Sequence, residues 1–122
     1  MYNYKIRPVK IIDGDTIDAE IDLGFDIKTK KRIRFAGINT PESRTRDLEE
    51  KAKGLAAKDR VKQLLNGCDN ITLQSHGLGK FGRCLGEIFI DKIDGKESLT
   101  LKSLNQLLIN EGHATEYHGG KR

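Results

Sequence analysis

Arg32-Ile33-Arg34-Phe35-Ala36-Gly37-Ile38-Asn39-Thr40-Pro41-Glu42 gathers two guanidiniums, an oxygen-rich turn and a carboxylate into one short stretch. Ile33, Phe35 and then Gly37-Ile38 put apolar character on one face, so residues 30–38 read as a strand with Arg32 and Arg34 on its opposite face. Pro41 offers no N–H to a ladder and biases Thr40 toward an extended conformation. Asn39 to Glu42 should therefore leave the sheet as a fixed, exposed turn. A planar fork suited to phosphate then stands beside oxygen donors.

Upstream, residues 5–12 carry Ile6, Val9, Ile11 and Ile12. Residues 16–23 alternate Ile17, Ala19, Ile21 and Leu23 with Asp18, Glu20 and Asp22, the pattern of a half-buried strand. Between them lies Asp13-Gly14-Asp15-Thr16, a turn whose glycine is expected to use its access to positive φ. The turn is not an EF-hand loop, because Ile17 falls where that pattern needs a ligand and Asp18 where it needs glycine. Residues 24–29 read as a loop. Lys28, Lys30, Lys31, Arg32 and Arg34 form a basic run, which is ordinarily a solvated face.

Downstream, a polar loop over residues 43–50 leads into a helix expected from about Asp47 to Asn66. Ala57, Val61, Leu64 and Cys68 recur there as one apolar stripe, and Gly67 is a stop. Residues 71–74 read as a short strand. Gly77, Gly79 and Gly82 satisfy G-x-G-x-x-G, but the residues that follow, from Cys84 to Ile90, alternate like a strand and open no helix. The stretch is therefore read as a glycine-rich hairpin carrying Lys80, Phe81 and Arg83. Asp94-Gly95 marks a turn, and Leu101, Leu104, Leu107 and Leu108 predict a short helix ending near Gly112. Asn105 falls among these apolar positions, so its amide is expected to be buried and hydrogen-bonded.

The chain of 122 residues suits one domain over residues 1–122, with one modest core and one site. A net charge of +4 favours a polyanionic partner without requiring one. Cys68 and Cys84 have no metal-ligand or disulfide-framework spacing and read as thiols of a reducing compartment. With no signal-like or membrane-spanning run, the chain is expected to be cytoplasmic, monomeric and without a membrane partner. About five short strands, a helix after the third and a short C-terminal helix give a mainly β chain with helices, a five-stranded OB-fold barrel.

Four blocks, Asp13-Gly14-Asp15-Thr16, Arg34 through Glu42, Gly79-Lys80-Phe81-Gly82-Arg83, and Asn105 with Gly112-His113-Ala114, match the staphylococcal nuclease (thermonuclease-like) family in order and spacing. The chain resembles that family over roughly residues 4 to 117. The resemblance implies an OB-fold barrel and a Ca²⁺-dependent nuclease that hydrolyses DNA and RNA, with single-stranded or locally unpaired segments favoured, to give 3′-phosphate ends. It implies Asp15, Asn39 and the Thr40 carbonyl as metal ligands, Glu42 as the residue that orients or deprotonates water, and Arg34 and Arg83 as the grip on the scissile phosphate. Lys80 and Phe81 stand where the family binds a neighbouring phosphate, and Tyr117 where a base could stack. The family usually has aspartate at the position of Asn39, so weaker calcium binding is expected here. Gly79 and Phe81 likewise replace an aspartate and a tyrosine.

Phosphodiester hydrolysis asks for a positioned water, a base, and cations that hold the transition state more tightly than the ground state. Glu42 answers the first two needs; a hard divalent cation and two arginines answer the third. The alternative is a catalytically silent nucleic-acid-binding OB-fold domain that uses the basic strand face with Phe81 or Tyr117 as stacking groups.

Overall fold

The structure, a computed structural model, describes residues 2–78 and 84–117. Strands β1 (Tyr2–Asp13), β2 (Thr16–Asp22) and β3 (Lys28–Phe35) form an antiparallel meander. β4 (Ile38–Asn39) precedes helix α1 (Leu48–Asn66). β5 (Ile71–Leu78), β6 (Cys84–Ile93) and β7 (Lys96–Ser103) then lead to helix α2 (Leu104–Asn110) and β8 (Thr115–Glu116).

The main sheet runs β3-β2-β1-β5-β6-β7, and the first half of β6 turns back onto β3 in parallel, pairing Ile33 with Cys84, Arg34 with Leu85 and Phe35 with Gly86. That seam closes β1, β2, β3, β5 and β6 into a five-stranded mixed barrel of the OB type. One helix follows the β3 region and a short one lies toward the C-terminal end, as expected. β7 extends β6 outside the closed ring.

The alternation read from the sequence decides which side chains fill the barrel. Ile17, Ala19 and Ile21 of β2, Ile33 and Phe35 of β3, Leu73 of β5, and Ile88 and Ile90 of β6 point inward and are buried. Val61 and Leu64 of α1 and Leu104 and Leu108 of α2 cap the ends of this core. Each fully buried aliphatic side chain contributes on the order of 1.5–3 kcal/mol.

Three local expectations change. The strand expected to run unbroken through Ile38 stops at Phe35, because Gly37 turns at φ +76°; Ile38 and Asn39 pair instead with Glu116 and Thr115. Gly14 is not at positive φ; it is required for space, since a Cβ there would lie 2.7 Å from Ala57 Cβ and 3.1 Å from the Thr40 side chain. Leu101 belongs to β7, and the helix begins only at Leu104, where the Ser103 hydroxyl accepts from Gln106 N at 3.2 Å.

Asp47 caps α1, accepting from Glu49 N at 3.1 Å and Glu50 N at 3.3 Å, and the acidic first turn suits the helix dipole. Arg60, further along α1, clamps the turn after β6 and the end of α2. Its guanidinium donates to both carboxylate oxygens of Asp94, at 2.7 and 3.0 Å, and of Glu111, at 2.6 and 2.8 Å. These charge-assisted bonds hold both carboxyl groups below their ordinary range and push the Arg60 guanidinium up.

Candidate nucleic-acid active site

The site grows out of the β1–β2 turn and the end of β3. Thr16 lies opposite Arg34 in the β2–β3 ladder, and Phe35 N donates to Asp15 O at 2.8 Å, which carries the pairing one residue past the strand. Asp15 is thereby buried beside Arg34. Its Oδ1 accepts from the Thr16 hydroxyl at 3.0 Å, and its Oδ2 accepts from Thr40 N at 3.0 Å. Nη2 of Arg34 stands 3.5 Å from the same Oδ2 and donates to Asn39 Oδ1 at 3.1 Å; Nη1 donates to Phe35 O at 2.9 Å. A buried carboxylate is tolerated here because a guanidinium and two hydrogen-bond donors face it.

The turn over residues 39–43 is fixed at both ends. Asn39 is held in register against Thr115, while the Ser43 hydroxyl donates to an Asp13 carboxylate oxygen. The Thr40 hydroxyl is buried and makes no hydrogen bond among the described residues; Thr40 acts through its backbone. Glu42, two residues on, is exposed. Tyr117 donates its N–H to Gly37 O at 2.8 Å, and its ring lies 6.0 Å from Arg34 Cζ, within cation-π range. Beside this cluster opens a cleft of about 590 Å³, bounded by Asn39, Thr40 and Pro41, by the first turns of α1 and by residues 112–115.

The structure thus brings Asp15, Arg34, Asn39 and Thr40 into one cluster, with Tyr117 at its rim and Glu42 on the adjoining turn. Lys80, Phe81 and Arg83 lie outside the described residues. Among the described residues, no three His, Cys, Asp or Glu side chains gather in a metal-holding group. The Asn39 amide oxygen shares the Arg34 guanidinium with the Asp15 carboxylate, and both are hard oxygen donors of the kind that suits Ca²⁺.

Two features went unread in the sequence. Thr16 belongs to the turn, but no sequence pattern signals its hydroxyl bond to Asp15. The second is the approach of α1 to the loops: an interior glycine, Gly54, was the available signal, since a helix carries one at a cost unless something must come close.

Compared with known families, residues 32–122 match the one described as Staphylococcal nuclease homologue. The chain belongs to that family. Among curated proteins, it is 28% identical over 116 residues to "Protein ParB" of Escherichia coli, an alignment covering 91% of this chain and 57% of that protein. The chain therefore spans little more than half the length of that relative. None of the described helices is long and apolar enough to cross a membrane.

Proposed function

We propose that this chain is a calcium-dependent, weakly sequence-selective nuclease that cleaves DNA and RNA to leave 3′-phosphate ends. The observation that carries the reading is the convergence of Asp15, from the turn between β1 and β2, with Arg34 and Asn39 of a separate strand-and-turn segment, joined through one guanidinium nitrogen. A polyanion binder has no use for a buried carboxylate at that place.

Asp15, Asn39 and the Thr40 carbonyl would hold Ca²⁺, and the all-oxygen donor set fits such a hard cation. The ion would supply positive charge to the phosphate and help orient the attacking water. Arg34, together with Arg83, holds the non-bridging oxygens and gains strength as charge builds in the pentacoordinate transition state. Glu42 takes the proton from the attacking water. The water oxygen bonds to phosphorus as the bond from phosphorus to the 5′-oxygen breaks, and that oxygen leaves with a proton drawn from solvent. The phosphate remains on the 3′-side. Tyr117, at the rim beside Arg34, offers a face for a base, and Lys80 and Phe81 a second phosphate contact.

The silent-binder reading relies on the basic face of β3, and that face is interleaved with acids. Arg32 binds Asp18 at 2.8 Å, and Lys28 lies 3.8 Å from Glu20, so two of its cations are paired within the sheet.

The deciding experiment incubates the chain with single-stranded DNA, duplex DNA and RNA, in Ca²⁺ or in chelator, and analyses the product ends. Calcium-dependent cleavage with 3′-phosphate ends is expected, and Arg83→Ala should lower turnover by about two orders of magnitude. Binding without cleavage under every condition would leave the silent binder in its place.

A further inference from the structure

Gly54 stands inside a helix of 19 residues, buried, where glycine costs about 1 kcal/mol relative to alanine. Its φ is not in the left-handed region, so the backbone does not demand it. Space does. A Cβ at Gly54 would meet the Glu42 carbonyl oxygen, lie 2.5 Å from the Glu42 carbonyl carbon and lie 2.7 Å from Pro41 O. All three are backbone atoms, which cannot rotate aside as the end of a side chain could. One turn further along the same face, the buried Ala57 packs against Gly14, beside Asp15. The helix thus seats the two loops of the site on a face stripped of side-chain bulk.

We propose that Gly54 is a positioning residue for Glu42: direct contact between the bare helix backbone and the 41–42 peptide sets how far the Glu42 carboxylate stands from the Asp15 and Arg34 cluster. The proposal rests on Glu42 acting as the base. Restoring ordinary contact of about 3.4 Å after adding a methyl group would move the turn by most of an ångström. Near-attack geometry is sensitive on that scale, where a displacement of about 1 Å can cost about a hundredfold in rate.

The test is Gly54→Ala in the full chain, with Leu55→Ala on the exposed side of the helix as control. Gly54→Ala is expected to lower kcat between about tenfold and a hundredfold. KM should stay within about twofold, because the base changes position while phosphate contacts persist. Helix content should hold, since alanine is the better helix former; Leu55→Ala should match the parent. A folded Gly54→Ala protein with parental kcat, or one whose loss lies in KM alone, overturns the proposal.

Should Gly54→Ala not fold, Pro41→Gly is added so that the turn can back away. Folding with depressed kcat then supports the proposal, and parental kcat overturns it. Failure to fold even then also overturns it, because the glycine would serve the fold as a whole. If the parent chain cleaves nothing, the functional reading fails separately. The seating is then read from the Glu42 amide resonance, which should shift in Gly54→Ala while that of Ile88 stays fixed; an unshifted Glu42 amide overturns it.

Discussion

Nη2 of Arg34 stands 3.1 Å from Asn39 Oδ1 and 3.5 Å from Asp15 Oδ2, so one guanidinium nitrogen spans both side-chain oxygens assigned to calcium. An amide at position 39 adds a dipole where a carboxylate would add a charge. Asn39→Asp is therefore expected to tighten calcium binding by roughly fivefold or more, on the order of 1 kcal/mol. Calorimetric titration of the two proteins checks this, and identical affinities would remove Asn39 from the ligand set.

Glu42 is exposed, and its carboxylate fills no place in the core. Glu42→Gln should keep a cooperative thermal transition and lower kcat by about two orders of magnitude or more, the range for a lost general base. Parallel rate and melting measurements separate these effects.

Asn105 is buried at the barrel seam. Its Nδ2 donates to Ala36 O at 2.8 Å, and its Oδ1 accepts from Ile88 N at 3.2 Å. Asn105→Ala strands both groups, and leaving buried partners unsatisfied costs about 1–3 kcal/mol. A lower midpoint in urea, with an unchanged slope, is the expected result.

Gly14 and Ala57 share one space. Gly14→Ala introduces a steric conflict without a backbone one, so it should destabilise the chain, and Ala57→Gly added to it should return part of the loss. A double-mutant cycle should give a coupling of about 0.5 kcal/mol or more. Strict additivity would mean that the turn and the helix are not packed as described.

Arg60 lowers the carboxyl groups of Asp94 and Glu111 from their ordinary values of 3.8 and 4.5. Because these values are depressed in the folded chain, the associated stability is complete above about pH 5. It is lost as pH falls below the ordinary values and through the lower folded ones. Arg60→Ala should lower the melting temperature at pH 7 by roughly 5 °C and flatten its fall between about pH 5 and 3. Parallel slopes for both proteins would deny the clamp its role.

Much of this site could be read in one dimension because its parts lie close along the chain. Arg34, Asn39, Thr40 and Glu42 share one strand-and-turn segment, and alternation alone puts Ile33 and Phe35 inside. Asn105 announced a buried amide by interrupting a leucine pattern. Contacts across the fold were less legible. Nothing in the 13–16 turn shows that Gly14 answers to Ala57, because the spacing depends on how a helix docks. Leu101 continued the leucine periodicity and so looked helical, yet Ser103 sets the start of α2 and leaves Leu101 on a strand. The end of β3 was obscured similarly: Ile38 keeps the apolar rhythm while Gly37 has already turned the chain toward β8.

The parallel join between β3 and β6 also bears on how the molecule comes into being. Ile33 must find Cys84, and Asn105 reaches back 69 residues to Ala36, so the ring cannot be completed by neighbours along the chain. Closures over such separations come slowly, because the loop entropy is lost before the contacts form. A nascent polypeptide that has already produced Asp15 and Glu42 still lacks the amide that fastens the seam, which ties competence to synthesis at least as far as Asn105.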